Sequence, residues 1–120
     1  MRKDFRFIIF FMTSLLFLGC VANAQEYDKC KVLMESISGV YNGDCKNGLA
    51  HGKGVAIGID KYDGKFKNGL PNGKGKYSWA NGDFYDGNWK AGKRSGEGIM
   101  FSFEQNVNVR GIWKNDEFVK

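Results

Sequence analysis

The sequence has few of the residues on which linkers, metal sites and glycans depend. Its 120 residues include one proline against seventeen glycines. Because the glycines recur periodically between aromatic residues, they do not fit a disordered linker. The single histidine, His51, and the cysteines outside the N-terminal region do not complete a four-ligand metal site. The sequon Asn-x-Ser/Thr is absent, so N-glycosylation is not expected.

The chain also lacks an apolar run long enough to span a bilayer. Its longest run, Phe7–Leu18, is too short for a membrane helix, and it lies between basic residues and the small residues of Ala22-Asn23-Ala24. This order predicts a secretory signal peptide over residues 1–24, cleaved after Ala24. Leu18-Gly19-Cys20 also resembles the end of a bacterial lipoprotein signal. We therefore predict an exported protein, periplasmic or secreted, with a membrane-anchored lipoprotein through a lipidated Cys20 as the alternative.

The mature chain carries no strong charge and no catalytic constellation. Removing residues 1–24 leaves 96 residues with a net charge of +3, which does not indicate a nucleic-acid partner. His51 has no nucleophile or carboxylate set around it in the repeat pattern, and the segment Gly69–Gly75 lacks the spacing and the Ser or Thr of a phosphate loop. We therefore expect no enzyme activity, no cofactor, no metal and no small-molecule substrate.

Two cysteines, Cys30 and Cys45, remain after cleavage. An even count in an exported chain predicts a disulfide bond between them, with two free buried thiols as the alternative. Cys30, Leu33, Met34 and Ile37 fall at positions i, i+3, i+4 and i+7. This spacing predicts a short helix from Asp28 to Ser38, inside a segment 25–39 that caps the first repeat.

The rest of the chain, residues 40–120, repeats one pattern. Its central copy is Tyr62–Gly75, which reads YDGKFKNGLPNGKG. The first glycines of the successive copies, Gly43, Gly64, Gly87 and Gly111, are separated by 21, 23 and 24 residues. A fixed period in this range predicts one supersecondary unit stacked several times. The sequence contains three full units and a partial fourth.

Each unit reads as a β-hairpin. Tyr62, Gly64 and Phe66 alternate with polar residues, and the segment Asn68–Gly73 is rich in turn residues. We predict an all-β repeat fold, an elongated antiparallel meander of stacked hairpins. Because glycine weakens a strand, a ring must bury itself on each repeat glycine to compensate. The rings and these glycines should therefore share one face, with Gly54, Gly75 and Gly98 beneath aromatic rings.

The pattern Tyr-x-Gly-x-aromatic-x-x-Gly-x-x-x-Gly-x-Gly resembles the MORN repeat (membrane occupation and recognition nexus). The resemblance runs from Tyr41 to about Lys114, with Cys45 replacing the aromatic residue of the first unit and Val109 replacing the tyrosine of the fourth. It implies an elongated antiparallel sheet that serves as a non-catalytic accessory module. It further implies protein–protein interaction or scaffolding, with an unidentified protein partner. Association with a membrane surface is the alternative.

Two sets of residues are candidates for binding. The first is a row of rings, Tyr62, Phe66, Tyr77, Trp79, Tyr85, Trp89 and Trp113, which either form a groove or simply pack the sheet. The second is a ladder of lysines at one repeat position, on the opposite face, which either bind an acidic lipid or partner or are merely solvated: Lys46, Lys67, Lys90 and Lys114. On that opposite face Ile99, Phe101 and Phe103 have no evident cover, which indicates an interaction surface.

Overall fold

The computed structural model describes residues 30–120. The predicted signal peptide, its predicted cleavage site, Cys20 and the start of the predicted helix lie outside the described residues. A single 3-10 turn is followed by eight strands. The elements are the turn Glu35–Ile37, β1 Val40–Lys46, β2 Leu49–Ile57, β3 Lys61–Lys67, β4 Leu70–Ser78, β5 Phe84–Lys90, β6 Lys93–Ser102, β7 Val107–Lys114 and β8 Glu117–Phe118.

The eight strands form one antiparallel sheet in which spatial order equals chain order. Glycine pairs with glycine at every step from β1 to β7, so seven glycines form one row across the sheet. The row is Gly43, Gly54, Gly64, Gly75, Gly87, Gly98 and Gly111. The all-β repeat meander is therefore confirmed. The unit that the sequence left partial is closed by the short strand β8, which pairs with β7 through Trp113 and Lys114.

The turns that join each odd-numbered strand to the following even-numbered strand are shorter than the sequence suggests. Asn68 and Gly69 have φ values of 51° and 82° and form a two-residue turn between β3 and β4. The predicted turn over Asn68–Gly73 is wrong beyond Gly69, because Leu70–Gly73 belong to β4. Pro71 is tolerated in this strand since it lies opposite Phe66 at the register shift of the β3–β4 pair.

The repeat tyrosines lie over the glycine row. A Cβ added to Gly54, Gly75 or Gly98 would overlap the ring of the tyrosine in the preceding strand, Tyr41, Tyr62 or Tyr85 respectively. The predicted stacking of rings on these three glycines is thus confirmed. The face that carries these rings is called the aromatic face below, and the opposite side of the sheet is called the outer face.

The N-terminal segment is an extended strap, and the predicted helix from Asp28 to Ser38 is wrong. Lys31 and Leu33 donate their backbone N–H groups to the carbonyls of Gly48 and Gly69, 2.9 and 2.8 Å away, in two successive hairpin turns. Exposure alternates from Lys31 to Ser36, with Val32 and Met34 turned toward the rings. The segment 30–39 is called the strap below. Its first residues obtain their backbone hydrogen bonds from the repeats, whereas Ile37 and Ser38 donate to Met34 and Glu35 within the 3-10 turn.

The strap covers the aromatic face of the first two units. Ile37 is fully buried in the core cluster with Ala56, Tyr62 and Phe66. At its start the strap is joined to β1 by the predicted disulfide, Cys30–Cys45, with the two Cα atoms 5.5 Å apart. An extended segment over residues 30–39 thus covers the units where a capping helix was predicted, and the first residues of the predicted segment 25–39 lie outside the described residues.

Candidate binding surfaces

The row of candidate aromatic residues is mostly sealed. Six of the seven rings are at most 6% exposed, namely Tyr62, Phe66, Tyr77, Tyr85, Trp89 and Trp113. They close the face by packing edge to face, as in the pairs Tyr62–Phe66 and Tyr85–Trp113 with centroids 5.0 and 5.1 Å apart. Of the two interpretations of this row, an open groove does not describe these six rings, Trp89 included. These six rings pack the sheet.

Trp79 is the candidate ring that stays partly exposed. It lies after the end of β4, with its centroid 4.7 Å from that of Tyr77. The guanidinium of Arg94 lies over the rings of both Trp79 and Tyr85, at 5.8 and 5.9 Å from their centroids. Arg94 is held there by Asp116 of the last turn, which accepts from Nε at 2.6 Å. Arg94 thus covers unit 3 much as the strap covers units 1 and 2.

The tyrosine hydroxyls are tied to backbone oxygens. Tyr62 and Tyr85 donate to the carbonyls of Lys65 and Asn88, three residues ahead in their own strands, at 2.8 and 3.0 Å. Burial raises the pKa of both phenols above its usual value, because the charged form would lose its hydration. These hydroxyls are structural tethers that hold each ring flat over the next glycine.

Two aspartates form hydrogen bonds between consecutive units, at the connections that lead from one hairpin to the next. Asp60 accepts from the Tyr77 hydroxyl at 2.6 Å and from the backbone N–H of Ala80 at 2.9 Å. Asp83, in the equivalent place of the next unit, accepts from the N–H of Phe103 at 2.8 Å. Burial, and then the bond to Asp60, raise the pKa of Tyr77 to about 12. Sequence reasoning missed both aspartates, although each stands two residues before a repeat tyrosine.

The lysine ladder is exposed along one row of the outer face. Lys46, Lys67, Lys90 and Lys114 are the last residues of β1, β3, β5 and β7, and all four are exposed. Alternate strands of a sheet lie about 10 Å apart, which sets the spacing of the ladder. Within residues 30–120 none of the four forms an ion pair. The geometry is as predicted, and whether the ladder binds anything stays a prediction.

The outer face also has a groove that sequence reasoning did not identify. It has a volume of about 410 Å³ and crosses β4 to β7 above Gly87, Gly98 and Gly111. Its walls carry both charges and two branched apolar side chains: Lys74, Asp86, Asn88, Glu97, Ile99, Arg110 and Ile112. Nothing in the period of the sequence marks this groove, because the residues that line it differ from unit to unit.

The apolar residues predicted to be uncovered are covered to different degrees. Phe101 stacks on Phe84 with centroids 5.0 Å apart, and the Lys76 ammonium lies 4.3 Å from the Phe84 centroid. Phe103 is 65% exposed, and Ile57, on the outer face of the first unit, is 48% exposed. The outer face therefore presents apolar area at both ends of the array.

A comparison with protein-family models matches the MORN repeat at three consecutive stretches, residues 41–60, 62–84 and 85–102. These stretches begin at or beside the tyrosines that lie over the glycine row, and they cover just over half of the 120 residues. The chain belongs to the MORN repeat family. No curated protein matches the chain significantly. MORN repeats are generally modules that interact with proteins or membranes, and the family is generally non-catalytic.

Residues 30–120 of this MORN array lack two kinds of feature. This part of the chain contains no group of three or more His, Cys, Asp or Glu side chains placed to hold a metal ion. In the same residues no helix has the length and apolar character needed to cross a membrane.

Proposed function

We propose that this MORN protein is an exported, non-enzymatic module that binds a protein partner through the outer face of its sheet. One observation carries the proposal. From unit 1 to unit 3 the aromatic face is mostly sealed by its own rings, the strap and Arg94, whereas no other segment of residues 30–120 packs over the outer face. A sheet with one packed face and one open face that carries apolar side chains and a groove suits recognition of another macromolecule.

Two features of the chain support export. The order of basic, apolar and small residues in 1–24 is that of a signal peptide. The Cys30–Cys45 bond suits an oxidising compartment. Mass spectrometry of the native protein should find an N-terminus at Gln25, whereas a diacylglyceryl-modified Cys20 would replace the secreted or periplasmic form with a lipoprotein.

The binding role is tested by affinity capture. The mature chain, residues 25–120, is immobilised and its partners from the native envelope or medium are identified by mass spectrometry. We expect a defined protein that is retained at moderate salt. Trp79→Ala is the control on the aromatic side, because its ring packs on Tyr77 beneath Arg94, and capture through the outer face should survive its loss. Recovery of no protein above the level of a blank resin would contradict the proposal.

Association with a membrane surface is the second candidate, through the lysine ladder or a lipidated Cys20. The observation that favours it is the exposure of Lys46, Lys67, Lys90 and Lys114 in one row. Each lysine near an anionic surface contributes about 1 kcal/mol, and salt screens the effect. Changing all four to Gln should abolish sedimentation with anionic vesicles if this candidate is correct, and should leave protein capture unchanged if it is not.

A further inference from the structure

The positive charge of the outer face is concentrated on three neighbouring strands. β2, β3 and β4 contain six lysines, Lys53, Lys61, Lys65, Lys67, Lys74 and Lys76, against one acidic residue, Asp63. All six alternate with the buried rings and glycines, so they project from the outer face. We call this set the lysine patch. It is much more basic than the mature chain as a whole.

Three members of the lysine patch form a continuous row. Lys53 and Lys65 are directly opposed across β2 and β3, and Lys74 follows in β4 at the register shift beside Lys65. Like charges placed opposite each other destabilise a sheet. All three ammonium groups are on exposed residues, and none forms an ion pair within residues 30–120. This arrangement of like charges does not stabilise the fold, whereas it would stabilise the binding of an anionic ligand.

The row of three lysines leads into the groove. Lys74 belongs both to the row and to the wall of the groove, which continues across β5 to β7. Past Lys74 the character of the walls changes, because Asn88 and Glu97 occupy the row and Ile99 and Ile112 contribute apolar surface. The track is therefore strongly basic at one end, and mixed and apolar at the other.

We infer that this track binds an extended acidic peptide segment of a partner protein, with its carboxylates on Lys53, Lys65 and Lys74 and its apolar side chains between Ile99 and Ile112. This partner chemistry rests on the protein-binding role proposed above. From β2 to β7 the track crosses five strand spacings of about 4.8 Å, which an extended chain of about seven residues spans. A recessed groove fits a single chain, whereas a flat anionic bilayer would bring its headgroups against Asp86 and Glu97.

The experiment uses a fluorescein-labelled peptide of about nine residues in which three glutamates precede alternating serine and leucine. Its binding to the mature chain is measured by fluorescence anisotropy. K53Q/K65Q/K74Q should weaken binding about tenfold or more, because the row supplies the charge complementarity. The matched control K31Q/K93Q/K120Q removes the same charge at exposed lysines outside both the patch and the ladder, and it should change the affinity by about twofold or less. Circular dichroism checks that both variants keep the fold.

Several outcomes would overturn the inference. Equal weakening by both triple variants would mean that only net charge matters. Equal affinity for a peptide with glutamine in place of glutamate would remove the acidic requirement. Binding of phosphatidylglycerol vesicles that needs Lys53, Lys65 and Lys74, without competition by the peptide, would assign the patch to a membrane surface.

Capture of the native partner separates this inference from the proposed function. If wild type and K53Q/K65Q/K74Q retain the same protein equally, the protein-binding role stands and the acidic-peptide track is refuted. If wild type retains no protein at all, the proposed function itself fails. Loss of the native partner in K53Q/K65Q/K74Q but not in K31Q/K93Q/K120Q supports both.

Discussion

Gly75→Ala tests the packing device on which the whole array depends. The three atoms nearest to an added Cβ all belong to the side chain of Tyr62, and the ring cannot move away freely because it is fully buried against Phe66 and Trp89. Displacing a fully buried aromatic side chain costs about 3–5 kcal/mol, as judged from large-to-small substitutions. Alanine offsets about 0.5–1 kcal/mol of this cost, because glycine destabilises a strand relative to alanine by that amount.

The net expectation is a destabilisation of about 2–4 kcal/mol, which in a domain of this size lowers Tm by about 10–25 °C. Thermal unfolding followed by circular dichroism measures it. Gly54→Ala is the matched comparison, because its ring, Tyr41, is only partly buried and can turn toward solvent. Its cost should be about 1 kcal/mol, and it should shrink further in a Tyr41→Ala background. A Gly75→Ala protein that melts at or above the wild-type temperature would refute the stacking of rings on glycines.

Three further predictions concern the bridge, one turn and alkaline pH. Cys45→Ser should destabilise the chain by about 3 kcal/mol, since it opens a loop of 15 residues, and two freely alkylated thiols in the native protein would exclude the bridge. Ala91 has a φ of 48°, so Ala91→Asn should stabilise by about 1 kcal/mol, whereas the control Ala80→Asn should be nearly neutral. The raised pKa values of Tyr62, Tyr77 and Tyr85 mean that the native state keeps protons which the unfolded chain loses near pH 10. Stability should therefore be complete below about pH 10 and fall toward pH 12, and a Tm that stays constant over this interval would contradict the burial of the phenols.

The repeats were predictable because their signal is local and recurs. The alternation in Tyr62, Gly64 and Phe66, and the periodic glycines, fix both the strands and their register, and the disulfide follows from the count of cysteines. These features depend on backbone geometry that each unit repeats. The same pattern predicted correctly which face of the sheet carries the rings.

The strap was not predictable from its own residues. Its apolar positions fit a helical spacing as well as an alternation, and only the free carbonyls of Gly48 and Gly69 in the hairpin turns decide for the extended form. The closure of the aromatic face was missed for a similar reason. It depends on the strap and on Arg94, which reaches Asp116 from 22 residues away in the chain.

Prediction of the outer face from the sequence was limited in the same way, because contacts between strands are not visible in the chain order. The lysine ladder recurs at one repeat position and was found from the sequence, whereas the row of Lys53, Lys65 and Lys74 joins different repeat positions. It becomes visible only when the strands are placed side by side. Residues that recur in every unit mostly build the array, and the residues that vary between units give each part of the outer face its own chemistry.

Site-specific photo-crosslinking tests most directly whether the outer face is the binding face. A photoreactive phenylalanine analogue is placed at Lys65, exposed on the outer face, and in a matched variant at Val109, which is 42% exposed on the aromatic side of β7. Both proteins are exposed to the native envelope or medium and irradiated. The account predicts a discrete protein adduct from position 65 and none from position 109. An adduct from position 109 alone would place the partner on the aromatic side and contradict the account.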